Sequence, residues 1–115
     1  MNYSIITQHS FDSTHQAPEP ERCRHPHGHR FTVVANIEHE QLDDGMPRGA
    51  SGFDDALRVI CAEFDHKPLA EMMPGLNQTL PGMAAYFYER LAAKYPNLKS
   101  VGVFDGISTG TVEKT

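Results

Sequence analysis

The sequence predicts an α+β fold, with an antiparallel sheet of four strands in the chain order ββααββ and two helices packed on one face. Three observations carry this reading. Alternating polarity runs through residues 2–15 and 29–39, helical periodicity occupies the middle of the chain, and a short hairpin pattern ends it. No helical crossover separates the strands within either outer pair, so antiparallel pairing with the helices gathered on one face is the economical arrangement. At 115 residues and 39% apolar content the chain builds one core, and a single domain over 1–115 is expected.

The elements follow in order. Tyr3, Ile5, Thr7, His9, Phe11, Ser13 and His15 share one parity, which predicts a long strand with a half-buried face. Phe31, Val33, Ala35 and Ile37 continue the parity of His27 and His29 in the second strand. Pro18, Pro20 and Pro26 exclude ladder pairing between them, so 16–26 is expected to be a loop. Residues 42–52 carry turn chemistry and mark a connection. The first helix carries Phe53, Leu57, Ile60, Cys61 and Phe64 on one side, with Ser51 and Asp54 spaced as a capping box, and ends near Asp65 ahead of Lys67-Pro68. The second starts at Thr79 or Leu80, accepts Pro81 in its first turn, presents Met83, Ala84, Phe87 and Leu91, and stops by Tyr95 before Pro96. Residues 98–112 read as two short strands joined around Asp105-Gly106. Such a sheet leaves two edges, which favours oligomerisation.

Composition narrows the function. A formal net charge of −5 argues against nucleic acid or an anionic membrane as the main partner. No stretch approaches the length of a membrane span and the N-terminus lacks the pattern of a signal peptide, so a cytoplasmic setting is expected. Two cysteines are too few for a disulfide framework. Cys61 belongs to the apolar face of the first helix, whereas Cys23 falls in the polar loop. Arg22, Arg24 and Arg30 surround that loop, either as solvated cations or as a positive rim for an anionic substrate.

The chemistry concentrates in Cys23-Arg-His-Pro-His27-Gly-His29 together with His15. In a strand, residues two apart share a face, so His27 and His29 present two imidazoles side by side and the neighbouring strand supplies a third from His15. Three neutral nitrogen donors with one position open form the ligand set of a catalytic Zn2+ site. Cys23 has two readings: a thiol activated by the nearby cation, or a fourth ligand that closes the site. Asp65-His66 is either a helix end with a solvated acid or a proton relay in which the carboxylate orients the ring. His9, His25 and His39 lack a comparable arrangement and are expected to be ordinary surface or interface residues.

Cys23-x-x-x-His27-x-His29 with Gly28 between, Phe11-Asp-Ser-Thr-His15 before it and Asp65-His66 some forty residues later resemble the 6-pyruvoyl-tetrahydropterin synthase family. A bacterial branch of that family comprises the 6-carboxy-5,6,7,8-tetrahydropterin synthases of queuosine biosynthesis. The resemblance implies a tunnelling fold, a homohexamer built as a dimer of trimers, and a pterin triphosphate substrate, 7,8-dihydroneopterin triphosphate. It further implies zinc on His15, His27 and His29, Cys23 as the catalytic base, Asp65 and His66 as its relay, and Asp105 as the acidic group that grips the pterin ring. The implied reaction is that of a lyase forming 6-carboxytetrahydropterin, with acetaldehyde and triphosphate released. The pyruvoyl-forming activity and a non-catalytic pterin- or purine-binding relative are the alternatives. The periphery departs from the family pattern: Asp105 stands for a glutamate, Thr79-Leu80-Pro81-Gly82 for Thr-x-Glu-Asn, Phe53-Asp54 for Asp-Phe, and Ala70 for an asparagine.

Overall fold

The computed structural model describes residues 1–15, 27–73 and 78–115, with the side chains of His15 and His27 outside that set. The two alternating stretches form strands β1 (Tyr3–His15) and β2 (His27–His39), each of 13 residues. They pair antiparallel without a break, from Tyr3 opposite His39 to His15 opposite His27. Odd-numbered residues of both strands face the helices, and Phe11, Phe31, Val33, Ala35 and Ile37 are buried there. Pro18, Pro20, Pro26, His25, Arg22 and Arg24 lie outside the described residues, as does the loop predicted for them.

Residues 42–52 do more than connect. They hold a small hairpin of β3 (Leu42–Asp43) and β4 (Met46–Pro47), turned by Asp44 and Gly45 at φ of 51° and 79°. Helix α1 (Phe53–Phe64) follows, with its predicted apolar face buried. The capping box expected of Ser51 and Asp54 is not formed. Gly52, at φ 76°, is the N-cap residue and no side chain caps the helix. Its left-handed turn leaves Ser51 outside the helix, where the Ser51 carbonyl accepts the Tyr95 hydroxyl at 2.9 Å. The Asp54 carboxylate turns to β1 instead, accepting hydrogen bonds from the Thr7 hydroxyl and from His9 Nε2.

Among the described residues the sheet has five strands rather than the expected four, in the order β5-β1-β2-β6-β7. The added strand β5 (Lys67–Pro68) runs parallel to β1, opposite Ser13 and Thr14. Two residues are too few to show an alternation. Proline nevertheless forces its predecessor into extended dihedrals and is tolerated on a sheet edge, where its missing N–H costs no ladder bond. A third helix, the four-residue α2 (Leu69–Met72), buries Leu69 beside it. Helix α3 (Leu80–Ala92) starts as predicted, with the Thr79 hydroxyl accepting the Gly82 N–H at 3.2 Å and Pro81 in the first turn. Strands β6 (Leu98–Phe104) and β7 (Thr109–Glu113) complete the sheet. Asp105 makes their turn by accepting the N–H groups of Ile107 and Ser108 at 2.9 and 2.8 Å.

The core lies between the helix-facing side of the sheet and α1 and α3. At its centre Phe64 meets Phe11 and Phe87 with ring centroids 5.3 and 5.1 Å apart. At Gly110 of β7 the start of α3 lies close against the sheet, since a Cβ there would stand 2.3 Å from the Pro81 nitrogen. Among the described residues no helix is long and apolar enough to cross a membrane. Cys61 is buried in this core as expected, and burial pushes its thiol up to about 12. The folded chain should therefore leave Cys61 unmodified by iodoacetamide at pH 8 and expose it only on unfolding. Peptide mapping that finds it alkylated in the native protein contradicts this packing.

Candidate active site

Among the described residues, the positions of His15, His27, His29, Asp65, His66 and Asp105 lie at one end of the sheet. The unbroken β1–β2 register sets His15 directly opposite His27 and Ser13 opposite His29. By strand alternation all three histidine positions share the face of buried Phe11 and Phe31. Residues opposite one another in an antiparallel pair have Cβ atoms about 4.5–5.5 Å apart, and two positions further along the same face is the next neighbour. His29 is partly buried and its ring stands 5.6 Å from that of Phe31. Cys23 lies outside the described residues.

On the other flank of β1, the end of α1 swings Asp65 and His66 against the strand. The Asp12 N–H donates to the Asp65 carboxylate at 2.9 Å, and the His66 N–H donates back to the Asp12 carbonyl at 2.7 Å. The Ser13 hydroxyl extends this clamp by donating to the Lys67 carbonyl. Within it His66 takes a φ of 61°, a left-handed conformation that a residue with a Cβ adopts at a cost. The Asp65 carboxylate and His66 Nδ1 are 3.0 Å apart, so the pair predicted from sequence is a hydrogen-bonded unit. It borders a cavity of about 280 Å³ lined by Asp12, Ser13, Thr14, His66, Lys67 and Pro68.

Two residues to which sequence reasoning gave no part in the Asp65–His66 pair complete the arrangement. Asp12 carries the main-chain clamp, and its side chain pairs with Arg30 across the strands, at 3.1 and 3.4 Å. Arg30, read above as a solvated cation or part of a positive rim, is thus committed to a carboxylate. The signal was available in the register: once His15 faces His27, Asp12 faces Arg30. Asp12, Asp65 and His66 also bring ligand-type atoms within 4.8 Å of one another. This cluster differs from the three-histidine set, and its Asp12 carboxylate already has the Arg30 guanidinium as its cation.

The electrostatics suit a relay. The backbone N–H of Asp12, more than the adjacent His66 and Arg30, holds Asp65 below the ordinary carboxylate range. At Asp105, burial opposes ionisation, but the Ser108 and Ile107 N–H groups and nearby His29 outweigh it and leave the carboxyl lowered. Thr32 of β2 pairs with Phe104 of β6, so the β6–β7 turn at Asp105 follows beside the histidine end of β2. Asp54, outside the site, is lowered first by the Thr7 hydroxyl and then by His9.

A carboxyl with a lowered pKa in the folded chain binds fewer protons there than in the unfolded chain. Its contribution to stability is complete above the ordinary value of 3.8 and is lost as pH falls below it. The melting temperature should accordingly fall as pH drops from 4 toward 2.5, and less steeply for Asp54→Asn than for the wild-type chain. Equal slopes in the two proteins contradict the assignment of Asp54.

The family model described as 6-pyruvoyl tetrahydropterin synthase matches residues 4–113. Among solved structures, 6-pyruvoyl tetrahydropterin synthase of Caenorhabditis elegans superposes with a TM-score of 0.83 at 16% identity, covering 100% of this chain and 97% of that one. An uncharacterised protein of Wolinella succinogenes gives 0.83 at 17% identity, with 100% and 99% covered. The 6-pyruvoyltetrahydropterin synthase of Plasmodium vivax gives 0.79 at 14%, again with 100% and 99% covered. No curated protein sequence matches the chain. At these identities the structures speak for the fold, and the family model speaks for descent: the chain belongs to the 6-pyruvoyl tetrahydropterin synthase family.

Proposed function

We propose that this chain is a zinc-dependent lyase that converts 7,8-dihydroneopterin triphosphate into 6-carboxy-5,6,7,8-tetrahydropterin, acetaldehyde and triphosphate, in 7-deazaguanine biosynthesis of the queuosine type. The observation that carries the reading is the juxtaposition, at one end of the sheet, of the His15, His27 and His29 positions with the Asp65–His66 pair and Asp105. The family consists of lyase-type enzymes, which supports the reaction class, and product analysis separates the carboxy variant proposed here from the pyruvoyl-forming one.

Zinc fits this donor set. Three imidazole-bearing positions on one face of an unbroken two-stranded ribbon match the three-ligand pattern of catalytic zinc sites. When bound, zinc supplies Lewis acidity toward the oxygens of the substrate side chain, which makes the adjacent C–H more acidic. Cys23 is the base that moves protons on that side chain, and it stands four positions before His27. His66 accepts and returns those protons, Asp65 keeps the ring oriented through Nδ1, and the Asp12 clamp keeps Asp65 in place. Asp105 grips the pterin amino and ring N–H groups. The two donors that hold its carboxylate at the turn preset its position, and its shorter side chain, compared with the family's glutamate, draws the ring closer to the end of β6.

Among the described residues the outer edges of β7 and of β1 ahead of Asp12 pair with no further strand, which supports assembly of the cytoplasmic enzyme as a homohexamer, a dimer of trimers. Purified protein with zinc and dihydroneopterin triphosphate should release triphosphate and acetaldehyde in equal amounts. Triphosphate without the two-carbon aldehyde would assign the pyruvoyl-forming activity instead. Thermal stabilisation by a pterin that is never converted would point to a binding protein.

A further inference from the structure

We infer that the cross-strand pair Asp12–Arg30 is a positioning device for the Asp65–His66 relay, rather than a surface ion pair or part of a substrate-phosphate rim. The inference rests on the proposed lyase reading and assigns two residues to the same site.

Asp12 touches the relay through three different groups. Its N–H holds the Asp65 carboxylate, its carbonyl holds the His66 N–H, and its own carboxylate stands within 4.8 Å of ligand-type atoms of both. The third contact creates a difficulty, because two carboxylates at that distance repel each other and would push Asp65 away from the Asp12 N–H. Arg30 resolves it. Its guanidinium engages both Asp12 oxygens, through Nε and Nη2, and its charge is also felt at Asp65.

Register makes the pairing local. Arg30 is directly opposite Asp12, three pairs from the end of the ribbon at His15 and His27, so the pair pins the stretch of β1 on which the clamp hangs. The clamp must also hold His66 in its left-handed conformation. Arg30 and Asp12 lie on the sheet face opposite that of Phe11, Phe31 and the His29 position, so they do not compete with His29 for the same face. A residue placed this way affects turnover more than substrate binding.

The test compares Arg30→Gln, Asp12→Asn and Arg30→Lys with the wild-type protein. Because the Arg30 side chain is 71% exposed and that of Asp12 44%, the expected loss in kcat is only roughly fivefold for Arg30→Gln and Asp12→Asn. KM should stay within about twofold, and Arg30→Lys should recover most of the rate, since a cation is restored. A rise in KM with kcat preserved would overturn the proposal and make Arg30 a contact for the triphosphate.

A readout independent of turnover separates this inference from the lyase reading. In ¹⁵N spectra of the imidazoles, the His66 Nδ1 resonance should move in Arg30→Gln and Asp12→Asn while that of His39 stays in place. If the wild-type protein converts no pterin triphosphate yet His66 responds in this way, the lyase reading fails and the positioning survives. An unmoved His66 resonance, in variants whose melting temperatures match wild type, would overturn it.

Discussion

His66→Asn is expected to lower the rate of triphosphate release by roughly 10²–10⁴-fold, the range associated with loss of a positioned general acid or base. Asparagine is the informative replacement because it also accepts the left-handed φ of 61° that His66 adopts. The backbone bond from His66 N–H to the Asp12 carbonyl can then persist. The His66 side chain is 79% exposed, so its loss removes little packing, and melting temperature and zinc content should remain close to wild type. Steady-state kinetics with dihydroneopterin triphosphate, alongside melting curves, provide the check. A variant that turns over at the wild-type rate removes His66 from the mechanism and leaves Asp65–His66 as a helix terminus with an ordinary acid.

The largest effect on stability is expected from Phe64→Ala, at about 3–5 kcal/mol. Phe64 is fully buried as the last residue of α1, and its ring meets those of Phe11, Phe87 and Tyr86 at 5.3, 5.1 and 5.5 Å. Its neighbours join core to site: Phe64 directly precedes Asp65, and Phe11 directly precedes Asp12. Truncating the ring thus empties the centre of the aromatic cluster and loosens the two segments that the relay clamp joins. At roughly 4 °C per kcal/mol for a chain of this size, the melting temperature should fall by about 12–20 °C. A loss below about 1 kcal/mol in urea unfolding would mean that the cluster can close over the gap, and that the site does not depend on it.

The elements legible in the sequence are those long enough to show a period. Alternation over residues 2–15 and 29–39 marked what became the thirteen-residue strands β1 and β2, and Thr79 followed by Pro81 marked the start of α3. What the sequence concealed was short or held by contacts between distant residues. Two-residue strands such as Lys67–Pro68 carry no period, and α2 spans barely one turn. Ser51 and Asp54 have the spacing of a capping box, yet Gly52 at the N-cap and the donors Thr7 and His9 on β1 redirected both residues.

The site shows the same division. Asp65 and His66 were visible as adjacent residues, and the histidine spacing matched strand geometry. The roles of Asp12 and Arg30 became readable only with the pairing register, because the two lie eighteen positions apart along the chain. Cys61 was placed in the core by its helical face alone, and the structure agrees.

Elemental analysis of the purified protein and two variants tests the central claim most directly, namely that His15, His27 and His29 hold one cation with a coordination position left open. One zinc per chain is predicted for the wild type and for Cys23→Ala, and essentially none for His27→Ala. A metal-free wild-type protein after zinc loading, or loss of zinc in Cys23→Ala, would contradict it, the second by making the cysteine a ligand that closes the site.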